Sequence, residues 1–419
     1  MQELLFLAHR IPYPPDKGDK IRSWNFLTHL ARRYRVHLGC FIDDPRDWEF
    51  TDKLRNLCGE CCFVGLKPRA ARLFSLRGLL DGRALTLPYY FSAELRQWVT
   101  GLTARPELTH SFIYCSAMAQ YIEPSAPRRL RRIADMVDID SEKWADYARR
   151  KPYPLRWLYA REARTLRQTE IDIARRFDTT IVATEAELAL LKQFAPDSGG
   201  KLRCVTNGVD SDYFSPERSY ANPYDDAAPI IAFVGAMDYW PNVDAVIHFA
   251  RSILPTVRER LPKLRFFIVG SNPTPEVLAL ASGRDIVVTG RVPDVRPFMA
   301  HAAAIVAPLR IARGVQNKVL EGMAMARPVI GSTEALTGIA AEIGKEVLRA
   351  ASAEEFATAI DRIVGTDTGA VIGQSARRRV LADYDWPASL AELDRAIDGL
   401  PQPIARLSAI ARLDCDGPS

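Results

Sequence analysis

The sequence has no run of about 18 uninterrupted apolar residues, the length that a membrane-spanning helix requires. Its first residues, MQELLFLAHR, carry no basic residue before a short apolar stretch, a pattern typical of a first β-strand and not of a signal peptide. Apolar residues make up 47% of the sequence and charged residues 26%, as in soluble globular proteins. The 419 residues exceed one ordinary domain, so we expect two domains. Together with the expected absence of a signal peptide and a membrane span, this composition predicts a cytoplasmic protein.

Cysteine is scarce and is not arranged as a metal site. The chain has seven cysteines, an odd number that indicates a reducing compartment. Cys58 and Cys61 form a Cys-x-x-Cys pair, but no second pair completes the four ligands of a zinc site. The second half of the sequence also has no carboxylate cluster with metal-ligand spacing. We therefore predict that the protein needs no metal and no other cofactor.

Several catalytic and binding signatures are also missing. Gly-x-Gly-x-x-Gly does not occur, which argues against a dinucleotide fingerprint. No serine lies in a nucleophile elbow, and His9 and His110 are expected to be structural. No nucleic-acid-binding motif is present, so we expect no nucleic-acid partner.

Positive charge is concentrated in the first half of the chain. Residues 1–200 contain 32 Lys and Arg against 25 Asp and Glu, whereas residues 201–419 contain 24 against 26. The segment Lys67–Trp98 interleaves basic residues with leucine and aromatic residues. A solvated amphipathic surface explains this segment as well as contact with an anionic bilayer does. The imbalance nevertheless predicts an anionic partner for the first half, either an acceptor or a membrane surface.

Strand-like and helix-like segments alternate through nearly the whole chain, a pattern that predicts parallel sheets covered by helices on both faces. The clearest strands are Ile230–Val234, Arg265–Val269 and Ala304–Ala307. We predict a first domain over residues 1–210, a linker over 211–229 and a second domain over 230–384. A helix and tail over 385–419 are expected to pack back on the first domain.

Two groups of residues in the first half are candidates for binding or catalysis. Gly18, Asp19 and Lys20 lie in the turn after the first strand, where a helix N-terminus attracts anions. Asp135 and Asp138 follow a predicted strand, and closely spaced carboxylates at a strand end are often functional. An ordinary loop and helix capping explain these residues equally well.

The second half contains one sharper pattern. Gly314 precedes a predicted helix that carries Asn317, Lys318 and Glu321. Lys318 and Glu321 are three residues apart and share a helix face. A lysine at a helix N-terminus suits a diphosphate, and a nearby glutamate can accept hydrogen bonds from a ribose diol. The alternative is an exposed Lys–Glu pair without a ligand.

Several motifs occur in the order found in family-4 retaining glycosyltransferases, and the chain resembles that family over essentially its whole length. They are Asn207-Gly-Val-Asp210, Phe233-Val-Gly235, Val288-Thr-Gly-Arg291-Val292, Asn317-Lys-x-x-Glu321 and Pro328-Val329. The resemblance implies a GT-B architecture, in which two Rossmann-like β/α/β domains face each other across a cleft. It also implies donor binding by Gly235, Arg291, Val292, Arg313, Gly314, Asn317, Lys318 and Glu321.

The chain departs from the family pattern at two places. The family has a Glu-x7-Glu pair; Glu321 is the second member, but Arg313 occupies the first position. The basic residues that usually follow the phosphate turn are missing after Gly235. Lys318, with Arg313 or Arg291, is expected to take over the cationic role.

The resemblance implies the transfer of a sugar from a nucleotide-diphosphate sugar to an acceptor, with retention of anomeric configuration. Three further motifs are Arg10-x-Pro-Tyr-Pro-Pro-x-Lys-Gly-Asp-Lys20, Asp138-Ile-Asp-Ser-Glu-Lys-Trp144 and Gly235-x-Met-Asp-Tyr-x-Pro-Asn-Val-Asp244. In these the chain is similar to hexosyltransferases of exopolysaccharide and PEP-CTERM sorting systems, which implies a lipid-linked or saccharide acceptor. Asp135 and Asp138 are the acceptor-side candidates for catalysis, and Gly18, Asp19 and Lys20 form the candidate acceptor loop. Two alternatives stay open: a GT-B sugar-nucleotide epimerase, and a non-catalytic nucleotide-sugar-binding or scaffold protein.

Overall fold

The computed structural model describes residues 2–15, 18–122, 127–224, 228–283, 285–312 and 314–401. These residues form two units, each with its own sheet. The first unit takes the described residues up to Thr206 and those from Leu390 onward, and the second takes Asn207–Ser389. Arg313 lies outside the described residues, so its predicted role has no structural counterpart here.

The first unit is built on a parallel sheet that, in the described part of the chain, has seven strands in the order β3-β2-β1-β4-β5-β6-β7. The central strands are buried on both faces because helices cover both sides, as the near-continuous apolar runs predicted. The strands are β1 (Glu3–Ala8), β2 (Arg35–Ile42), β3 (Cys61–Gly65), β4 (Leu108–Tyr114), β5 (Arg131–Val137), β6 (Thr179–Val182) and β7 (Leu202–Cys204).

Helices connect these strands, and two of the connections are long. The chain between β3 and β4 contains four short helices, and the chain between β5 and β6 contains two helices that pack on each other. The helices are α1 (Gly18–Leu30), α2 (Thr51–Leu57), α3 (Pro68–Ser75), α4 (Arg77–Leu80), α5 (Thr86–Tyr89), α6 (Ala93–Thr103), α7 (Asp140–Arg150), α8 (Leu155–Arg176) and α9 (Glu185–Phe194).

The second unit has a parallel sheet with the order β10-β9-β8-β11-β12-β13 among the described residues. Its strands are β8 (Ile230–Val234), β9 (Arg265–Val269), β10 (Ile286–Gly290), β11 (Ala304–Ala307), β12 (Val329–Gly331) and β13 (Leu348–Arg349). Its helices are α10 (Trp240–His248), α11 (Leu254–Arg260), α12 (Pro275–Leu278), α13 (Arg296–His301), α14 (Asn317–Ala324), α15 (Thr333–Leu336), α16 (Ala353–Ile363) and α17 (Asp367–Asp383), followed by α18 (Trp386–Asp398), which ends among residues of the first unit.

Each sheet reverses its strand order at one point. In the first unit β1 pairs with both β2 and β4, and in the second unit β8 pairs with both β9 and β11. Connections on the two sides of such a point leave the sheet in opposite directions, so a crevice opens beyond the carboxyl ends of the two strands. This places the turns after β1 and β4, and those after β8 and β11, at the natural binding positions of the two sheets.

The segment predicted as a linker, 211–229, instead belongs to the second unit in its described part. The Arg377 guanidinium on α17 donates to the carbonyl oxygens of Ala324 and Phe214, over 2.5 and 3.1 Å. The Tyr224 hydroxyl donates to the carbonyl of Phe298 over 2.6 Å. A composition rich in proline and asparagine therefore marks irregular but packed chain here.

Residues after Leu390 lie in the first unit, where they make specific contacts. The His29 Nε2 lies 2.9 Å from the Asp394 carboxylate, and the Thr179 hydroxyl donates to the Ala396 carbonyl over 3.1 Å. The Arg33 guanidinium pairs with the Asp398 carboxylate. The last helix thus contacts both α1 and β6 of the first unit.

Candidate functional site

The turn after β8 comes very close to the turn after β9. Gly270, with φ +156°, has no room for a side chain, because a Cβ there would lie 1.7 Å from the Gly235 carbonyl oxygen. Gly235 is similarly enclosed, since a Cβ on it would lie 2.7 Å from the Asn242 side-chain nitrogen and 3.5 Å from Cε of Lys318. The backbone at Gly235 therefore directly adjoins the side chains of Asn242 and Lys318, a contact that a larger residue would obstruct.

Lys318 is held at this turn by a short hydrogen-bond chain. Its Nζ donates to Asn242 Oδ1 over 3.0 Å, and Asn242 Nδ2 donates to the Ala236 carbonyl over 2.8 Å. The same Nζ lies 5.4 Å from the ring centroid of Phe233. Burial lowers the pKa of Lys318 to about 8, against the opposing effect of Glu321, so the amine is largely charged at neutral pH.

Lys318 and Glu321 lie one helical turn apart on α14, as predicted. Burial raises the pKa of Glu321 to about 7, although Lys318 counteracts it. No side chain in the described ranges donates a hydrogen bond to the Glu321 carboxylate, and Asn317 Oδ1 is likewise buried without a donor among those residues. The Glu321 carboxylate and Asn317 Oδ1 are thus two acceptors on one helix that can each receive a hydrogen bond from a hydroxyl or amine of a ligand.

The start of α14 adds positive potential to the same place. The helix begins at Asn317, after Gly314, whose φ of 67° only glycine adopts readily. It follows β11, whereas Gly235 follows β8, so both lie at the strand-order reversal of the second sheet. A helix N-terminus, a lysine amine and a glycine turn at such a point form a binding site suited to a diphosphate.

The predicted turn at Arg291 and Val292 follows β10, which is two strands away from β8 and three from β11. β10 ends at Gly290, with φ 68°, and the Arg291 side chain is exposed. Asp294 is engaged locally, because its Oδ1 accepts from the Arg296 backbone N–H over 2.9 Å. The exposed Arg291 guanidinium is therefore a second cation at the carboxyl edge of this sheet.

Asn242 was not among the site residues predicted from the sequence, yet it links Gly235 to Lys318. A local signal existed: Asn242 lies in the first turn of α10, the helix that directly follows the glycine turn. A second unpredicted pair lies near it, because Arg310 Nε, just after β11, donates to Asp244 Oδ2 over 2.9 Å.

In the first unit, the turn after β1 forms its own polar cluster at the reversal between β1 and β4. Asp19 accepts from Arg10 Nη1 over 2.6 Å and lies 3.5 Å from His9 Nε2. Burial opposes the charged form of Asp19, but hydrogen bonding to His9 and the charge of Arg10 hold its pKa well below the usual range. Lys20, predicted beside it, pairs instead with Asp47 Oδ2 over 2.7 Å, with both side chains buried.

His9 is placed more centrally than expected for a purely structural residue. Its ring stacks on Tyr114 with centroids 5.8 Å apart and meets Tyr90 edge-on at 5.7 Å. Its Nδ1 is buried and has no hydrogen-bond partner within the described part of the chain. Gly18 begins α1 directly beside this cluster.

Asp135 and Asp138 have different surroundings although both lie at the end of β5. Asp135 is fully buried and receives two hydrogen bonds from Arg22, through Nε over 2.7 Å and Nη2 over 3.1 Å. Burial raises the pKa of Asp135, with Arg22 opposing. Asp138 is half-buried and accepts from Lys143 Nζ over 2.8 Å. The structure therefore assigns Asp135 to holding the fold, whereas Asp138 stays accessible.

The described residues include neither a metal cluster nor a membrane-spanning helix. No group of three or more His, Cys, Asp or Glu side chains in the ranges given above is placed to hold a metal ion. No helix in those ranges combines the length and apolar character needed to cross a bilayer. That the protein needs no metal stays a prediction, to be tested by activity.

Comparison with known proteins agrees with this arrangement. Residues 228–366, which contain the whole Gly235–Asn242–Lys318 arrangement, match the family described as glycosyl transferases group 1. No curated protein sequence matches the chain.

Solved structures match nearly the whole chain at low sequence identity. Sucrose-phosphate synthase from Thermosynechococcus elongatus is 16% identical, with a TM-score of 0.69 over 94% of this chain and 98% of that one. Anabaena HepE, solved with UDP and glucose, is 14% identical, with a TM-score of 0.65 over 96% and 100%. WaaG, a glycosyltransferase involved in lipopolysaccharide biosynthesis, is 15% identical, with a TM-score of 0.63 over 93% and 99%.

The fold is thus the two-domain Rossmann-like GT-B fold, as the sequence predicted. The match to group 1 glycosyl transferases lies within the second unit, and the similarity to solved structures extends the fold over nearly the whole chain.

Proposed function

We propose that the protein transfers a sugar, of the hexosyl type, from a nucleotide-diphosphate sugar to an acceptor with retention of anomeric configuration. The observation that carries this proposal is the hydrogen-bonded arrangement of Lys318 and Asn242 against the Gly235 backbone, at the strand-order reversal of the second sheet. The family match covers this arrangement. The similarity in fold to HepE, which was solved with UDP-glucose, supports a nucleotide-sugar as the donor.

The proposed roles of the donor-site residues follow from where negative charge develops during sugar transfer. As the bond between the anomeric carbon and the diphosphate oxygen breaks, negative charge grows on the leaving diphosphate. The Lys318 amine and the N-terminus of α14 stabilise that charge, and their effect is strong because the amine is partly withdrawn from water. The acceptor hydroxyl forms the new bond to the anomeric carbon, and its proton passes to an oxygen of the leaving diphosphate. Glu321 accepts hydrogen bonds from the ribose diol, and no protein nucleophile is assigned.

Positive charge from Lys318, Arg291 and Arg313 replaces the metal ion that other phosphate chemistry uses, so the donor binds without a metal. Arg313 lies outside the described residues, and its contribution rests on its position eight residues before Glu321. Neither the base nor the sugar is specified by these groups.

On the acceptor side, Asp138 and the turn of Gly18 and Asp19 are the groups proposed to bind the acceptor. Asp135 contributes by holding Arg22, and Lys20 by holding Asp47, so both act through position. We propose a lipid-linked or growing saccharide acceptor in exopolysaccharide assembly of the PEP-CTERM-associated kind, on the cytoplasmic side of the membrane. The similarity in fold to WaaG, involved in lipopolysaccharide biosynthesis, supports an acceptor of this class.

A thermal-shift screen against UDP and GDP, followed by donor turnover with and without lipid-linked saccharides, tests the proposal. Lys318→Gln should abolish the shift, whereas Lys345→Gln, an exposed lysine of the same unit, should leave it unchanged. Donor breakdown that needs no acceptor would favour a sugar-nucleotide epimerase. Binding without turnover on any acceptor would favour a non-catalytic protein.

A further inference from the structure

Large apolar side chains are exposed at two places in the first unit. In α3 and α4, the exposed fractions of Leu73 and Leu80 are 73% and 88%. At the start of α8, the exposed fraction of Trp157 is 57%. Scattered exposed leucines are ordinary, but a cluster of this kind on a protein surface marks an interaction site.

The two places belong to one surface. The Arg161 guanidinium on α8 donates to the carbonyl oxygens of Gly78 and Arg83, over 2.6 and 3.1 Å. The next residue, Glu162, accepts from the Leu85 backbone N–H over 2.6 Å. Trp157 precedes Arg161 by one helical turn and so lies on the same side of α8. The start of α8 and the α3–α4 segment are therefore neighbours on one surface of the first unit.

The charge of this surface is almost entirely positive. Residues 66–92 contain five Lys and Arg and a single acidic residue, Asp81, and residues 149–161 contain five Lys and Arg and no acidic residue. Arg149 pairs with Asp146 over 2.6 Å. Eight other exposed cations form no ion pair within the described ranges; they are Lys67, Arg69, Arg72, Arg77, Arg83, Lys151, Arg156 and Arg164. Local pairing, the simplest explanation for such arginines, does not apply to these eight.

The packing keeps the apolar side chains outside. Phe74 turns inward and stacks on Phe91, with ring centroids 6.3 Å apart, and Arg77 covers Phe74 at 4.4 Å from its centroid. This anchors α3 to the unit, so the side chain of Leu73 on the adjacent position points to solvent.

The combination of unpaired cations and exposed apolar side chains indicates which kind of partner this surface binds. A second copy of this surface would bring many unpaired cations against each other, so self-association is disfavoured by repulsion. A nucleic acid would match the charge but leave Leu73, Leu80 and Trp157 unused. The face of an anionic bilayer supplies phosphates for the cations and acyl chains for the apolar side chains at the same depth.

We propose that the surface formed by α3, α4 and the start of α8 docks the protein on anionic lipid bilayers. The arginines attract the headgroup phosphates, and Leu73, Leu80 and Trp157 enter the boundary between headgroups and acyl chains. This docking is independent of the donor site, because every residue involved lies in the first unit and the donor residues lie in the second.

Co-sedimentation of the full chain with vesicles, in the absence of nucleotide, tests the proposal. Vesicles of phosphatidylcholine alone are compared with vesicles containing about one third phosphatidylglycerol, over a salt series. The charge variant carries Arg69→Glu, Arg72→Glu and Arg156→Glu, and its control is Arg32→Glu, an exposed arginine elsewhere in the first unit. The apolar variant carries Leu73→Ser, Leu80→Ser and Trp157→Ser, and its control is Leu278→Ser, at an exposed leucine of the second unit.

The wild-type chain should bind only the anionic vesicles, and less so as salt rises, because the Debye length shortens from about 10 Å at 0.1 M. Each lost cation should weaken partitioning by about fivefold, so the charge variant should lose on the order of a hundredfold. The apolar variant should lose the fraction that persists at high salt. Circular dichroism melts verify that all variants fold.

The proposal would be overturned if the same fraction of the wild-type chain stayed in the supernatant with neutral and with anionic vesicles at low salt. Loss of binding in Arg32→Glu to the same extent as in the charge variant would also overturn it, since that would show a diffuse effect of net charge. A dimer that the apolar variant converts to monomer, without any vesicle binding by the wild type, would assign the surface to a second copy instead.

Discussion

Arg22 and Asp135 are separated by 113 positions in sequence and form a fully buried ion pair. Arg22 also donates through Nη1 to the carbonyl of Val205 over 2.8 Å. One guanidinium thus joins α1, the end of β5 and the residue just after β7. Asp135 Oδ1 also accepts from the Val137 backbone N–H over 3.1 Å, so the pair fixes the backbone at the end of β5, next to Asp138.

Asp135→Ala should lower the free energy of unfolding of the first unit by about 3–5 kcal/mol, because it leaves Arg22 buried without a counter-charge. The double variant Arg22→Met with Asp135→Leu should cost less than the single variant, since no charge stays buried. Urea denaturation followed by tryptophan fluorescence measures both. As a control, Glu342→Gln, which breaks the exposed ion pair of Glu342 with Lys345, should lower the free energy of unfolding by less than about 1 kcal/mol. A similarly small loss in Asp135→Ala would contradict this account.

Gly270→Ala should destabilise the second unit by more than about 2 kcal/mol and weaken nucleotide binding with it. The added Cβ would lie 1.7 Å from the Gly235 carbonyl, and backbone must move to relieve the overlap. The matched control is Gly101→Ala on α6, where a Cβ meets nothing within 4 Å and the helix should gain about 0.5–1 kcal/mol. Thermal unfolding with and without UDP gives both readouts, and two variants of equal stability would refute the predicted clash.

Glu321→Ala should weaken donor binding by about 1–3 kcal/mol, the cost of losing a charged hydrogen-bond acceptor, while the fold survives. Isothermal calorimetry with the nucleotide diphosphate measures the change. Glu334→Ala, at an exposed glutamate on the short helix after β12, serves as the control and should bind normally. Unchanged affinity in Glu321→Ala would remove Glu321 from the ribose site.

Nucleotide affinity should fall as the pH rises above about 8. Burial lowers the pKa of Lys318 to about 8 from its ordinary value of 10.5, so the amine loses its charge in a range where a free lysine keeps it. The diphosphate is fully ionised above about pH 7, and Glu321, whose pKa is raised to about 7, is largely ionised by pH 8, so the loss between pH 8 and 9.5 reports the lysine. Lys318→Arg should keep its affinity across this range, because a guanidinium stays protonated. A flat profile for the wild type would show that Lys318 does not contact the diphosphate.

Activity should persist in excess chelator, because cationic side chains and helix amides take the place of a metal at the diphosphate. Donor turnover measured with and without EDTA checks this expectation. Loss of turnover on chelation, restored by magnesium or manganese, would count against it.

The sequence predicted the sheets better than the connections between them. Ile230–Val234, Arg265–Val269 and Ala304–Ala307 are confirmed to the residue, because buried parallel strands are short apolar runs bounded by turn residues. The helix-like pattern in the sequence covers residues 243–260, but the helix begins earlier, at Trp240, and is interrupted by a π-helical segment over Phe249–Ile253. Pro255 explains the interruption, because it lacks the N–H that a continuous α-helix needs at that position.

The candidate site was predicted only in part, for a physical reason. Lys318 and Glu321 could be identified together because one helix places residues three apart on one face. Asn242 could not, because its contact with Lys318 spans 76 positions and depends on the order of strands in the sheet. The acidic residues near β5 illustrate the opposite error: they looked like one cluster, but Asp135 pairs with Arg22 and Asp138 with Lys143.

The contacts made by residues 390–401 have a consequence for biosynthesis. These residues provide the partners of His29, Arg33 and Thr179, yet the ribosome synthesises them only after the whole of the second unit. The nascent first unit must therefore wait, with α1 and β6 lacking their final contacts, while more than a hundred further residues emerge. During that interval its uncovered side is open to chaperones and proteases, and substitutions such as Asp394→Ala would prolong the exposure without touching either sheet.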